Sequence, residues 1–123
     1  MGDGGLDQAT DTDTFPMPAL RLDKVFQALS DPVRLGIVIQ LSREGVSSCA
    51  ALDGGRPKST MSHHFRVLRE AGLVDTRVQG VTHMNTLCRE RLDAAFPGLL
   101  NAIVSAAGAS RYQADAYERT PRG

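Results

Sequence analysis

Apolar residues recur at helical spacing in the first part of the chain, and capping residues divide them into two segments. The first segment begins near Pro18, and its apolar positions are Leu22, Val25, Phe26 and Leu29. Asp31 and Pro32 then provide an N-cap and a first helical residue for a second segment, from Val33 to about Arg43, that is apolar on most sides. The pattern predicts a surface helix followed by a central helix that ends at Gly45.

The middle of the chain predicts a short helix, a tight turn and a longer helix. The segment from Val46 to Leu52 is long enough for at most two helical turns, and Asp53, Gly54 and Gly55 favour a turn after it. A stronger helical pattern extends from about Lys58 to Ala71 and stops at Gly72. This order is typical of a helix-turn-helix, so we name the longer segment the recognition helix.

Beyond Gly72 the hydrophobic period changes from 3.6 to 2. The runs 73–78 and 81–87 are rich in β-branched residues and flank Gln79 and Gly80, which predicts a β-hairpin. Pro97 requires the last helix either to start near Asp93 or to kink at the proline. The apolar positions of that helix are Leu92, Phe96, Leu99, Leu100, Ile103 and Ala107. The predicted fold class is therefore mainly α with a small β-hairpin (α+β), in the order of a winged helix-turn-helix.

The length of the chain fits one domain, which we predict over residues 17–108. Residues 1–16 predict a disordered leader and residues 109–123 a flexible tail, because both segments are polar and lack periodic apolar residues. The acidic, Gly-rich start is unlike a signal peptide, and no apolar run reaches the roughly 18 residues of a membrane span. We expect a cytoplasmic, nucleoid-associated protein with reduced cysteines and no membrane partner.

Charge is unevenly distributed along the chain, although the formal net charge is zero. The first 55 residues are acidic, whereas residues 56–91 hold seven Lys and Arg against three acidic residues, together with all three histidines. A basic segment of this kind is a candidate phosphate-facing surface. A solvated helix face that happens to be basic is the alternative.

The predicted recognition helix separates into two stripes at helical spacing. The apolar stripe should face the core and consists of Met61, His64, Phe65 and Leu68. The polar stripe on the opposite side consists of Ser59, Ser62, His63 and Arg66. The first turn, where free backbone N–H groups favour a phosphate, holds Lys58, Ser59 and Thr60.

This polar stripe suits insertion into a DNA major groove. Small hydroxyls permit close approach, and an arginine can bond guanine through two hydrogen bonds. An ordinary amphipathic surface helix is the alternative, but such helices usually expose Glu and Lys. His64 lies on the apolar stripe, so we expect a packed, hydrogen-bonded core residue rather than a ligand. Arg77, Thr82 and His83 flank the hairpin tip. Arg77 is a candidate for contact with a minor groove or phosphate, and Thr82 joins the predicted DNA-contacting set.

Three features of the sequence resemble the ArsR-type winged-helix repressors: ALSDPVRL at 28–35, STMSHHFRVLREAGL at 59–73, and the hairpin that follows. The resemblance spans about residues 19–107. It implies a transcriptional regulator, a repressor, that binds double-stranded DNA at a near-palindromic operator and releases it when an effector arrives. By position, it assigns to the DNA-contacting face Lys58, Ser59, Thr60, Ser62, His63 and Arg66, with Arg77 in the wing.

The resemblance also implies a homodimer joined by the first and last helices. The apolar stripes of these helices support this, because a domain of this size cannot bury both internally. The first helix contributes Leu22, Phe26 and Leu29, and the last helix contributes Phe96, Leu99, Leu100 and Ile103.

The sequence departs from metal-sensing relatives where their effectors bind. The segment 46–51, VSSCAA, holds one thiol instead of a Cys-x-Cys pair, and residues 92–107 contain no histidine and only Asp93 as an acid. A tight transition-metal site needs about four N, S or O ligands. We therefore predict no cofactor and no metal site at the family's usual positions, while a metal effector stays open. Pro57 stands where a capping Ser or Thr is expected, which leaves the start of the recognition helix undetermined.

Other functions compete with this interpretation. An enzyme is disfavoured because no phosphate loop or paired-carboxylate motif is present, and Cys88 does not lie at a helix N-terminus. A repressor that senses redox state through Cys49 and Cys88 is a second alternative, although isolated cysteines are more often small buried hydrophobes. A third is a dimeric winged-helix module that binds another protein.

Overall fold

The computed structural model of the chain describes residues 19–109. The predicted leader at 1–16 lies outside this range, as does the predicted tail at 109–123 apart from Ala109, the last residue of the final helix. Six helices and three strands follow one another within it. The helices are α1 (Leu22–Leu29), α2 (Pro32–Glu44), α3 (Cys49–Leu52), α4 (Lys58–Glu70), α5 (Arg89–Ala95) and α6 (Leu99–Ala109). The strands are β1 (Val46–Ser48), β2 (Val74–Gln79) and β3 (Thr82–Leu87).

Local capping sets the ends of α2, as the sequence predicts. The Asp31 carboxylate accepts hydrogen bonds from the backbone N–H groups of Val33 at 2.7 Å and Arg34 at 3.3 Å. Pro32 occupies the first helical turn, where the missing N–H costs nothing. Gly45 ends the helix with a φ of 87°, a conformation that favours glycine.

The predicted helix over Val46–Leu52 is wrong in its first half. Val46–Ser48 instead forms β1, which pairs antiparallel with β3 and gives a sheet of order β1-β3-β2. Its exposed Val46 and buried Ser47 alternate as a strand requires. Only Cys49–Leu52 is helical, and the Ser48 hydroxyl caps it by accepting from the Ala51 N–H at 3.0 Å. β1 forms because β3 offers it a free edge, in a register that pairs Val46 with Thr86 and Ser48 with Met84.

The β2–β3 hairpin, here named the wing, is confirmed with its turn one residue later than predicted. Gln79 pairs with Thr82, so Gly80 and Val81 form a two-residue turn. Gly80 has a φ of 65°, which two-residue hairpin turns require at a central position.

The last predicted helix is two helices, α5 and α6, separated at Phe96–Gly98. Pro97 disfavours helical backbone at the preceding residue, and Phe96 has an extended φ of −133° and ψ of 77°. The helical part starts at Arg89, earlier than the predicted start near Asp93, and the interruption at Pro97 agrees with the predicted kink.

The core lies between α2, α4, the base of the sheet and the last two helices. Its largest fully buried aliphatic side chains come from four of the helices and from the residue just before β2: Leu41, Leu68, Leu73, Leu92 and Leu100. Truncating such a leucine to alanine costs about 2–5 kcal/mol of stability. This core holds α4 by its inner side and leaves its outer side free for other contacts.

Candidate nucleic-acid interface

Helix α4, the recognition helix, is anchored by the apolar stripe that the sequence predicts. Met61, His64, Phe65 and Leu68 retain 3%, 8%, 3% and 0% of their accessible surface. Their spacing places them on one side of the helix, against the core. The opposite side of the helix is therefore directed to solvent.

The structure brings the predicted DNA-contacting residues together on that exposed side. All six side chains are exposed: Lys58, Ser59, Thr60, Ser62, His63 and Arg66. The N-cap residue, Pro57, makes no side-chain capping hydrogen bond. The N–H groups of the first turn are therefore not covered by a capping side chain. Helix N-termini of this kind attract phosphate through their N–H groups and the helix dipole. Helix α4 starts at Lys58 even without the expected capping Ser or Thr.

Arg66 and His63 lie side by side on this face. The Arg66 Nη2 atom is 3.4 Å from His63 Nδ1, one helical turn away. Both residues are exposed, so this contact is weak and can be exchanged for a base or a phosphate. The pair therefore places a guanidinium and an imidazole at one point of the helix surface.

The wing adds a second polar surface beside the helix. Arg77 is 64% exposed, and its Nε lies 3.3 Å from the Asp75 carboxylate. Thr82 and His83 are also exposed, and Val81, at the tip, is almost fully exposed at 99%. The ion pair uses one nitrogen of Arg77 and leaves the terminal nitrogens for other acceptors.

A cleft of about 460 Å³ separates the recognition helix from the wing tip. Lys58 and Ser62 line it from α4, Thr82 and His83 from the wing, and Ser48 and Cys49 from the start of α3. The sequence identified the helix and wing residues, but it missed Ser48. Ser48 enters the cleft because β1 pairs with β3, a contact that no local pattern reveals.

A buried polar network holds the wing against β1. Asn85 and Thr76 are completely buried, and the Thr76 hydroxyl donates to Asn85 Oδ1 at 2.6 Å. The Asn85 Nδ2 group donates to the Ser47 carbonyl and to the Cys49 Sγ atom, each at 3.3 Å. Each polar group of this network has a partner, so burial costs little and the three strands keep one register.

His64 is the packed, hydrogen-bonded residue that the sequence predicts. Its Nδ1 atom lies 3.1 Å from Arg34 Nη1, and Arg34 Nε donates to the Ala28 carbonyl at 2.7 Å. Burial lowers the pKa of His64 below its ordinary value of 6.5, and this outweighs the opposing effect of Asp31. Sequence reasoning did not identify Arg34 as its partner, because the two residues are 30 positions apart.

The two thiols have different surroundings. Burial raises the pKa of Cys88 to about 11, with the Asp75 carboxylate acting in the same direction. Cys88 is therefore a neutral thiol at physiological pH. Cys49 is half-buried and lines the cleft described above.

Between residues 19 and 109, no three His, Cys, Asp or Glu side chains come together in a group suited to a metal ion. The helices in the same range are all too short or too polar to cross a bilayer.

The residues predicted for dimer contact differ in exposure. Leu22 and Phe26, on α1, are 43% and 53% exposed. Leu29, Phe96, Leu99 and Ile103 are partly buried within one chain. Leu100 is 2% exposed, so it already belongs to the core and has almost no area to bury against a partner. The prediction that Leu100 contacts a partner chain is therefore wrong.

Known proteins resemble this chain in sequence and in architecture. A family model described as a helix-turn-helix domain matches residues 29–77. The HTH-type transcriptional regulator YceK of Bacillus subtilis (strain 168) is 35% identical over 83 residues, which are 65% of this chain and 83% of that protein. An arsenical resistance operon repressor of Staphylococcus xylosus is 38% identical over 73 residues, which are 58% of this chain and 70% of that protein. The crystal structure of an ArsR family transcriptional regulator aligns with a TM-score of 0.56 and 26% identity, over 66% of this chain and 90% of that chain.

Proposed function

The chain belongs to the ArsR-type helix-turn-helix transcriptional regulators, a family of DNA-binding repressors, and we propose that it represses transcription as a homodimer on a near-palindromic operator. In this proposal α4 enters the major groove and the wing lies against the flanking backbone or minor groove. A protein with this task works at the nucleoid, in the cytoplasm, and acts by binding rather than by catalysis.

The division of α4 into two sides carries the proposal. Its inner side is fixed by four buried residues, while six polar or basic residues face solvent together. Arg66 lies one helical turn beyond Ser62 and His63 on the exposed side, where a long side chain can reach a base edge. Lys58 and the first-turn N–H groups favour a phosphate at the helix start.

The wing and the cleft extend this surface. Arg77 supplies a positive charge on one side of the hairpin, and Thr82 supplies a hydroxyl near its tip. Between the helix and the wing, the cleft offers Ser62 and Thr82 to the phosphate backbone that passes from one groove to the next.

Homodimer formation is proposed through α1 and the last helix. Leu22 and Phe26 are exposed large apolar side chains on one helix, separated by one turn. Contiguous exposed apolar patches mark interaction sites, and this pair would form part of such a patch. The remaining members of the set are Leu29, Phe96, Leu99 and Ile103.

Release of the operator by an effector is also part of the proposal. The name of the Staphylococcus xylosus relative connects that protein with arsenical resistance. Metalloids and soft metals favour several thiolate ligands. Here Cys88 is buried and neutral, so Cys49 alone could supply a thiolate ligand. We propose that this chain responds to a different signal.

Selection of duplexes from a random DNA library tests the function. The wild-type protein should enrich a near-palindrome whose half-sites lie about 10 base pairs apart, or a multiple of this. A matched control replaces three exposed residues, Ser59→Ala, Ser62→Ala and Arg66→Ala, which should leave the fold intact and abolish the enrichment. If the wild type enriches no sequence, the protein is not a sequence-specific regulator, and a winged-helix module that binds another protein becomes the better interpretation.

A further inference from the structure

One side chain, Arg34 on α2, makes polar contacts with both α1 and α4. Its Nε–H donates to the Ala28 carbonyl, near the C-terminal end of α1, at 2.7 Å. Its Nη1 lies 3.1 Å from His64 Nδ1, on the inner side of the recognition helix. Its own backbone N–H is bound by the Asp31 carboxylate at the start of α2. Arg34 thus links the proposed dimer helix to the proposed DNA-contacting helix.

The contact with His64 requires one protonation state. A guanidinium only donates hydrogen bonds and stays protonated in proteins. His64 Nδ1 must therefore be the acceptor, which places the ring in its neutral form with the proton on Nε2. Protonation of Nδ1 replaces this hydrogen bond with two N–H groups that face each other and two positive charges about 3 Å apart.

The charged groups near His64 mostly oppose its protonation. Arg34 from α2, His63 from α4 and Arg56 from the preceding linker each lower its pKa. Among the residues that the structure describes, Asp31 is the one group that raises this pKa, whereas burial has the largest effect and lowers it. His64 is therefore neutral near neutral pH, and its protonation as the pH falls disturbs the contact with Arg34.

His64 also lies close to the exposed face of the recognition helix. Its ring centroid is 5.8 Å from that of His63, and Ser62 and Arg66 are each two positions away along the helix. Any rotation of α4 that relieves the contact with Arg34 therefore moves the side chains proposed to contact DNA. Protein cores are close-packed, so such a shift is transmitted to neighbouring side chains instead of being absorbed locally.

We propose that Arg34 is a positioning residue for the recognition helix, and that protonation of His64 as the pH falls breaks its bond to Arg34 and weakens operator binding. This inference rests on the proposed function, because it requires an operator. It assigns to the ALSDPVRL segment a role in setting the angle of α4 relative to α1.

The test compares the wild type with His64→Asn across pH. Asparagine places its amide oxygen near the position of Nδ1, so it can accept from Arg34, but it does not titrate. Binding to the duplex selected from the random library is measured by fluorescence anisotropy between pH 7.5 and pH 5.5 at fixed salt. Below the point at which His64 of the free protein protonates, each further pH unit should cost the wild type up to about tenfold more affinity per protomer than His64→Asn, since binding must then expel a proton. Both proteins keep His63 and His83, so the difference reports His64 alone.

A second variant and a second readout make the test independent of one substitution. In Arg34→Lys the charge remains, but a single ammonium cannot bond both Ala28 and His64 from the same position, so affinity should fall at pH 7.5 and the pH dependence should flatten. Nitrogen NMR of the free wild-type protein should show His64 Nδ1 without a proton at neutral pH.

The outcomes are distinguishable. If no operator is recovered, the proposed function fails and this inference fails with it. If an operator is recovered but the wild type, His64→Asn and Arg34→Lys share one pH profile, only the positioning role is overturned. A proton on Nδ1 at neutral pH would also overturn it, whatever the DNA measurements give.

Discussion

The Thr76 hydroxyl donates a 2.6 Å hydrogen bond to the Oδ1 atom of Asn85, and neither side chain has any exposed surface. The two residues face each other across β2 and β3, in register as a Cα pair. Asn85 also bonds the Ser47 carbonyl on β1, so one amide joins all three strands. The wing therefore depends on a polar group at its centre as well as on apolar packing.

Asn85→Ala should destabilise the protein by about 1–3 kcal/mol, because it leaves the Thr76 hydroxyl and the Ser47 carbonyl buried without this partner. Urea denaturation measures this change in the free energy of unfolding. The exposed neighbour Thr82→Ala serves as a control on the same strand and should change stability by less than about 0.5 kcal/mol. Equal losses in the two variants would contradict a role for the network.

Phe26→Glu should convert the protein from dimer to monomer at micromolar concentration. Phe26 is 53% exposed on α1, and a charge there is costly inside an apolar interface. Analytical ultracentrifugation should show two associated chains for the wild type. Val46→Glu is the matched control, because Val46 is equally exposed but lies on β1, outside the proposed contact set. A monomeric wild type would remove the homodimer and with it the reason for a palindromic operator.

Cys49 should react with a thiol reagent at pH 8 much faster than Cys88 in the folded protein. The pKa of Cys88 is raised to about 11, so only about one molecule in a thousand is a thiolate at that pH. Cys49→Ser should therefore remove the fast phase of an Ellman assay, and Cys88→Ser should leave it unchanged. Fast reaction of both thiols would support the alternative in which they act together as a redox sensor.

The sequence predicted the elements that depend on neighbours in the chain. The Asp31 cap, the end of α2 at Gly45 and the two stripes of α4 each follow from residues within about two helical turns, and all are confirmed. The exposure of the polar stripe could be predicted for the same reason, since the position of the buried stripe determines it.

What the sequence missed depends on pairing between distant segments. β1 was predicted as a helix because three residues are too few to show a period, and it becomes a strand only beside β3. The bond between Arg34 and His64 spans 30 positions, and that between Asn85 and Ser47 spans 38. Leu100 was predicted as a contact for a partner because its apolar stripe lies on one side of the helix, but α6 turns that position into the core.

The free energy of unfolding should decrease as the pH falls below about 6.5. The pKa of His64 is lowered in the folded protein, whereas in the unfolded chain it returns to about 6.5. Between these two values the unfolded chain binds more protons than the folded chain, so stability is lost as the pH falls through this window and is unaffected above it. Urea denaturation at several pH values should show this loss in the wild type and a smaller one in His64→Asn. His83→Asn, at an exposed position, should keep the wild-type loss, and an equal effect of both substitutions would contradict the assignment to His64.

Arg66→Ala distinguishes an arginine that recognises a base from one that adds only positive charge. If Arg66 contacts guanine, the substitution should cost about 1–3 kcal/mol of binding free energy per half-site on the selected operator and much less on a scrambled duplex. If it binds only phosphate, affinity for both duplexes should fall together, and the slope of log K against log salt should become shallower by about one unit for each phosphate that is no longer neutralised. Fluorescence anisotropy on both duplexes at several salt concentrations separates these cases.

Arg43→Ala is the matched control, because Arg43 is an exposed arginine in the last turn of α2 and its substitution should leave both affinities unchanged. If Arg66→Ala behaves like Arg43→Ala on both duplexes, the exposed side of α4 does not enter the groove, since its longest side chain would then contact neither base nor phosphate.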